Sequence, residues 1–257
     1  IEYRLLAFND TRRFWGIGYA DQPTSDLGVY TEGGADLTVG YRYLFTPSFS
    51  AKISVGYEYY TTYDYTYSYL VENEITSTTG AEVSLNITAD TRDIKHAPHK
   101  GTYIDFNKTY HPRHNFRKTP SFKTSIVADF FFPAWKGSVF AFDLWGEANY
   151  GKTPWFTWTP IGGESRMRGY YYGRYRDKNT ATAQLEIRQQ IYQAHSMVIW
   201  GGCGNTFPSF KEFNIKHTLP TYGIGYRMTL AELVFRFDLG FGNKKQYSIL
   251  VGINHAF

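Results

Sequence analysis

A single cysteine in 257 residues leaves no disulfide framework and no cysteine-based zinc site. No run of roughly 18 or more mainly apolar residues occurs, so a membrane-spanning helix has no candidate segment. The strongest charge-free apolar stretch, Met197 to Phe210, is interrupted by Gly201, Gly202, Gly204 and Pro208. Charge is also scarce: Asp, Glu, Lys and Arg make up 19% of the chain and leave a formal excess of only +4. That excess is scattered, which argues against a nucleic-acid partner. No Pro/Ser-rich or charge-rich linker divides the chain, so residues 1–257 read as one domain. No leader pattern opens it. Ile1-Glu2-Tyr3-Arg4-Leu5 already alternates like a strand, as expected of a mature or trimmed chain.

Aromatic residues are abundant: 23 Tyr, 20 Phe and 6 Trp. Disordered chains are poor in these, so disorder is excluded. The dominant pattern has period two. Leu233, Phe235, Phe237, Leu239 and Phe241 alternate with Val234, Arg236, Asp238 and Gly240. Ile53, Val55, Tyr57 and Tyr59 alternate with Lys52, Ser54, Gly56 and Glu58, and Leu37, Val39, Tyr41 and Tyr43 with Asp36, Thr38, Gly40 and Arg42. The polar face is small and mixed rather than lysine-rich. Apolar-out, polar-in alternation over segments of about 10 residues is the pattern of a transmembrane barrel, and aromatics near strand ends suit its interfacial girdles.

Twelve such segments are expected, at residues 1–8, 35–45, 49–60, 81–90, 101–110, 123–132, 138–150, 181–191, 196–204, 220–228, 231–241 and 246–257. Their connections nearly alternate between long and short, as outer loops and periplasmic turns do in such barrels. An even number puts both ends on the short-turn side, with Phe257 as an aromatic anchor. The fold class is therefore an all-β, antiparallel transmembrane barrel. The first and last strands must pair with each other or be covered, because an unpaired backbone group facing lipid costs several kcal/mol.

The longest outer loop reads Ile161-Gly-Gly-Glu-Ser-Arg-Met-Arg-Gly-Tyr-Tyr-Tyr-Gly-Arg-Tyr-Arg-Asp177 and runs into the strand containing Gln184-Leu-Glu-Ile-Arg188. Its Met167-Arg168-Gly169-Tyr170 tetrad is followed by five strands and a terminal Gly252-Ile-Asn-His-Ala-Phe257. With Asp90-Thr-Arg-Asp93, Phe14-Trp-Gly-Ile-Gly18 and Arg236-Phe-Asp238, this arrangement resembles the bacterial surface antigen family, the outer-membrane insertase and translocase barrels of the BamA, TamA and FhaC type. The resemblance implies a loop folded back into the lumen, with the arginine of the tetrad held by acidic groups on the inner wall. Glu186 is the first expected partner of Arg168. Arg188, Arg236, Asp238, Asp143 and Glu147 share that inward register. Asp90, Arg92 and Asp93 are expected to form an ion-paired turn, and Gly252, His255 and Phe257 a C-terminal signal.

The chain departs from the family in three ways. Gly202 stands where the family carries an anchoring Asp, no periplasmic POTRA domains precede the barrel, and twelve strands replace sixteen. A short member without POTRA domains and a fragment of a larger barrel both fit these departures.

The pattern requires neither cofactor nor metal. His96-x-x-His99 and His111-x-x-His114 lie on opposite sides of the membrane in this topology, too far apart to share an ion. A phospholipase needs a Ser–His pair on the outer rim. His195 and Ser196 point to opposite faces of a periplasmic turn, and His255 sits lipid-facing at the periplasmic end. Three functions follow from the sequence. The first and favoured one is an insertase or translocase barrel, embedded in outer-membrane lipid and acting through a weak seam between its first and last strands. The second is a non-transporting barrel that docks an envelope protein partner or forms a homo-oligomer. The third, least supported, is an outer-membrane phospholipase.

Overall fold

The computed structural model describes residues 1–19, 25–66, 76–112, 119–230 and 233–257. Twelve strands form one antiparallel sheet in which each strand pairs with its chain neighbours. They are β1 (Glu2–Phe14), β2 (Gly28–Thr46), β3 (Phe49–Tyr63), β4 (Ser77–Asp90), β5 (Gly101–His111) and β6 (Ser121–Pro133). The second half comprises β7 (Ser138–Tyr150), β8 (Asn179–Tyr192), β9 (His195–Phe207), β10 (Leu219–Leu230), β11 (Leu233–Gly242) and β12 (Tyr247–Ile253).

The sheet curls so that one face encloses a lumen, and its polarity is the reverse of a water-soluble sandwich. Leu37, Val39, Ile53, Val55, Ile199, Ile224, Ile249 and Val251 are exposed on the outside, whereas Asp36, Ser54, Glu58, Asp143, Glu186 and Asp238 are buried inside. So large a contiguous apolar exterior would aggregate in water; against lipid it is matched to its solvent.

The strands run longer than alternation alone indicates. β1 and β2 pair continuously from Glu2↔Gly40 to Phe14↔Gly28, extending the expected hairpin through Asn9-Asp-Thr-Arg-Arg13. These residues carry no apolar stripe because they stand on the outer-loop side, where the outward face meets water and the inward face is polar, with Arg12 paired to Glu32 over the Tyr172 ring. The last strand is shorter than expected. β12 ends at Ile253, and Asn254 adopts φ 68°, which turns the following residues off the sheet. Residues 231–232, with which the eleventh segment was expected to open, lie outside the described residues.

Among the described residues the sheet is not closed by hydrogen bonds: β1 pairs only with β2, and β12 only with β11, over Phe235↔Ile253 to Phe241↔Tyr247. Each of these two strands therefore has one row of backbone donors and acceptors without a strand partner.

Candidate functional site

The connection from β7 to β8 descends into the lumen as a hairpin. Ile161 bridges Tyr175, with the Ile161 N–H donating to the Tyr175 carbonyl at 2.8 Å. Ile161, Met167, Tyr170 and Tyr175 pack with Leu219 in a buried apolar cluster that fixes the hairpin against β10. Met167 and Gly169 both adopt positive φ, 50° and 109°, and this kink presents Arg168 to the wall.

Arg168 is completely buried. One terminal nitrogen, Nη2, donates to Glu186 Oε1 at 2.5 Å, and the other, Nη1, donates to Asp238 Oδ2 at 2.8 Å. The guanidinium lies 3.9 Å above the Trp200 ring. A planar, always-charged fork can meet two carboxylates from different strands while stacking on an aromatic face, and an ammonium cannot. The Arg168 carbonyl accepts from Thr221 Oγ1, and the Gly169 N–H donates to Ser248 Oγ at 2.9 Å. The loop tip thus touches β8, β9, β10, β11 and β12 at once.

Each carboxylate also serves a second arginine. Arg188 Nε donates to Glu186 Oε2 at 2.8 Å, and Arg227 Nη1 donates to Asp238 Oδ1 at 2.5 Å. Arg236 approaches Asp238 more loosely, at 3.8 Å, and Glu164 of the loop at 3.7 Å. Two further ties lie higher in the loop. Arg166 grips both oxygens of Asp143 at 2.6 to 3.0 Å, and Glu147 accepts from Thr159 Oγ1 at 2.7 Å. Tyr170 donates to the Pro220 carbonyl at 2.6 Å and accepts from the Asn243 N–H at 2.7 Å.

Gly202 has no room for an anchoring carboxylate. A Cβ there would lie 2.6 Å from the Ala183 carbonyl oxygen. The negative charge comes instead from the strands on either side of β9 and β10, through Glu186 and Asp238. The roles of Trp200, Thr221, Ser248 and Arg166 are absent from the sequence reading. Arg166 and Trp200 carried a signal, as a second arginine in the tetrad's loop and an indole on the inward register. Nothing marked Thr221 or Ser248.

The turn between β4 and β5 brings together Asp90, Arg92 and Asp93, but not as one network. Arg92 pairs with both oxygens of Asp90 at 2.9 Å and lies over the Tyr103 ring at 4.3 Å. Asp93 instead organises the turn, its Oδ1 accepting from the N–H groups of Ile94, His99 and Lys100. Burial favours a raised Asp93 pKa, yet these backbone donors hold it below the usual carboxylate value.

The C-terminal residues require a correction. His255 was expected on the lipid face and Phe257 as an aromatic anchor on the short-turn side. The turn at Asn254 carries both off the outer face: His255 Nδ1 is buried, and Phe257 packs beside Phe131 under Arg188, which lies 5.2 Å from its ring centroid. Arg188 Nη2 donates to the Phe257 oxygen at 3.0 Å, so the tail fills the periplasmic end of the lumen. Gly252 faces inward, where a Cβ would come 2.9 Å from Arg236. The lack of a side chain there makes space for that guanidinium. His195 pairs with the Tyr226 hydroxyl.

A profile of the Omp85 superfamily domain matches residues 3–257. The chain belongs to the Omp85 superfamily. Solved structures agree with this Omp85 barrel in fold. BamA from Haemophilus ducreyi lacking POTRA domains 1–3 superposes with a TM-score of 0.68 at 12% identity, covering 98% of this chain and 61% of that one. CdiB from Acinetobacter baumannii gives 0.63 at 11% identity, covering 98% and 47%. This Omp85 chain thus spans about three-fifths of the first and under half of the second. No curated protein sequence matches it. Superfamily membership implies a bacterial outer-membrane barrel.

Proposed function

We propose that this Omp85 barrel assists the insertion or translocation of proteins or lipids at the bacterial outer membrane, working at the seam between β1 and β12. The observation that carries the reading is the pair of strand edges without a partner, set beside a wall that the Arg168 loop ties together from β8 to β12. Lipid cannot satisfy backbone donors and acceptors. An incoming strand can satisfy them by adding to the edge, and the braced wall gives that exchange a fixed side. The reading treats the protein as non-enzymatic and its environment as outer-membrane lipid.

The same free edges support a second reading, in which an envelope protein or another copy of the chain covers them permanently. A photo-crosslinking amino acid placed at the outward positions Leu5 on β1 and Ile249 on β12 separates the two. The control is Leu144, in the middle of the paired wall. In proteoliposomes supplied with an unfolded outer-membrane barrel substrate, adducts to the substrate are expected at both seam positions and at background level at Leu144. Equal labelling at all three would overturn the seam assignment. One stable adduct formed before substrate is added would favour the permanent partner.

A further inference from the structure

The lumen holds a second cluster of chemistry-bearing side chains, away from the Arg168 loop. Glu58 on β3, Glu82 on β4 and His111 on β5 point inward from three adjacent strands, and their nearest donor atoms all lie within 4.8 Å of one another. Glu58 and His111 are buried, at 6% and 8% exposure. The cluster borders a polar cavity of about 950 Å³ between the loop and the wall.

Three observations distinguish it from a solvated acidic patch. Among the described residues His111 Nδ1 is buried and has no hydrogen-bond partner, although it lies 3.2 Å from Glu58 Oε1. The nitrogen thus sits among the carboxylate oxygens of the cluster without hydrogen-bond geometry toward Glu58. Glu82 accepts no hydrogen bond among the described residues, whereas the neighbouring acids are satisfied: Asp36 by Arg4 at 3.0 Å and Asp105 by the Asn86 amide at 2.9 Å. Gly56, opposite Glu82, leaves the space through which that carboxylate lies. A Cβ there would come 3.0 Å from Glu82 Oε1.

We infer that Glu58, Glu82 and His111 form a binding site for a divalent transition-metal ion, with zinc the best fit. One imidazole and two carboxylates are a zinc donor set, with bonds of about 2.0 to 2.2 Å and a fourth position left for water. That position opens on the cavity. Small side-chain rotations close the present separations to the spacing such bonds require. The ion staples β3, β4 and β5, the half of the barrel that the tip of the Arg168 loop does not brace. It is a structural site, and the inference stands independently of the seam reading.

The test is calorimetric titration of zinc chloride into the full chain, purified in mild detergent, stripped with chelator and carrying Cys203→Ala. One zinc per chain is expected. Glu82→Gln and His111→Gln should each weaken binding at least about tenfold, while His99→Gln should leave it unchanged. Calcium should not compete. Absence of zinc uptake, or uptake unaffected by both lumen variants, would overturn the site. If either variant fails to fold, X-ray absorption on the zinc-loaded parent decides. One imidazole with oxygen donors supports the site, and several imidazoles contradict it.

Discussion

Replacing Arg168 by alanine is expected to release the loop and raise the ion conductance of the barrel in planar bilayers. The side chain is wholly buried, and its removal deletes two charge-assisted hydrogen bonds and the contact with Trp200. Removing one partner from a buried ion pair typically costs about 3–5 kcal/mol, mostly because the other charge is left uncompensated. Here Glu186 keeps Arg188 and Asp238 keeps Arg227, which places the loss near the lower end, about 3 kcal/mol. Arg168→Lys should recover only part of it, because one ammonium cannot span carboxylates on β8 and β11. Unchanged conductance, with the loop still resistant to protease, would refute the lock.

Gly169→Ala should be comparably damaging for a different reason. Gly169 sits at φ 109°, where a side chain is strained, and its Cβ would lie 2.5 Å from the Phe241 carbonyl carbon. That neighbour is β11 backbone held between Tyr222 of β10 and Tyr247 of β12, and it cannot easily move aside. Backbone strain of about 1–3 kcal/mol and overpacking of about 1–3 kcal/mol add at one position. The loop should either lift from β11 or pull the sheet apart there. Gly201→Ala is the matched control, since nothing lies within 4 Å of its added Cβ. The urea midpoint of unfolding should fall clearly for Gly169→Ala and stay near the parent value for Gly201→Ala. Similar midpoints for the two would mean the loop does not lie on β11 as described.

These predictions rest on features of unequal visibility in the sequence. The barrel is legible because lipid outside and polar lumen inside impose a strict period of two, as at Leu233 to Phe241. The inward register of Glu186, Arg188, Arg236 and Asp238 follows from the same alternation. Alternation gives the face of the wall but not the height at which a loop meets it. That is why Trp200, Thr221 and Ser248 could not be assigned to the Arg168 site, and why Arg166 was not matched to Asp143. The outer half of the β1–β2 hairpin lacks alternation because its outward face meets water rather than lipid, while its inward face packs Phe14 and Tyr30 against Trp155 of the loop. The inward tail was hidden by one residue. Asn254 adopts a left-handed conformation, and everything beyond it changes face. The Glu58, Glu82 and His111 cluster was hidden in a similar way, because its members are far apart in sequence and meet only through the registers of three strands.

The account stands on a barrel with one weak seam beside one braced wall. Residue-resolved hydrogen–deuterium exchange on the intact protein in mild detergent tests this most directly, since the cavity bordered by Arg4, Leu6 and Phe8 gives water access to β1 from inside. Alternate amides along β1 and β12 are predicted to exchange rapidly, while those of β6 to β10 stay protected far longer. Uniform, strong protection of β1 and β12 would mean that the two strands are firmly paired and would contradict the seam.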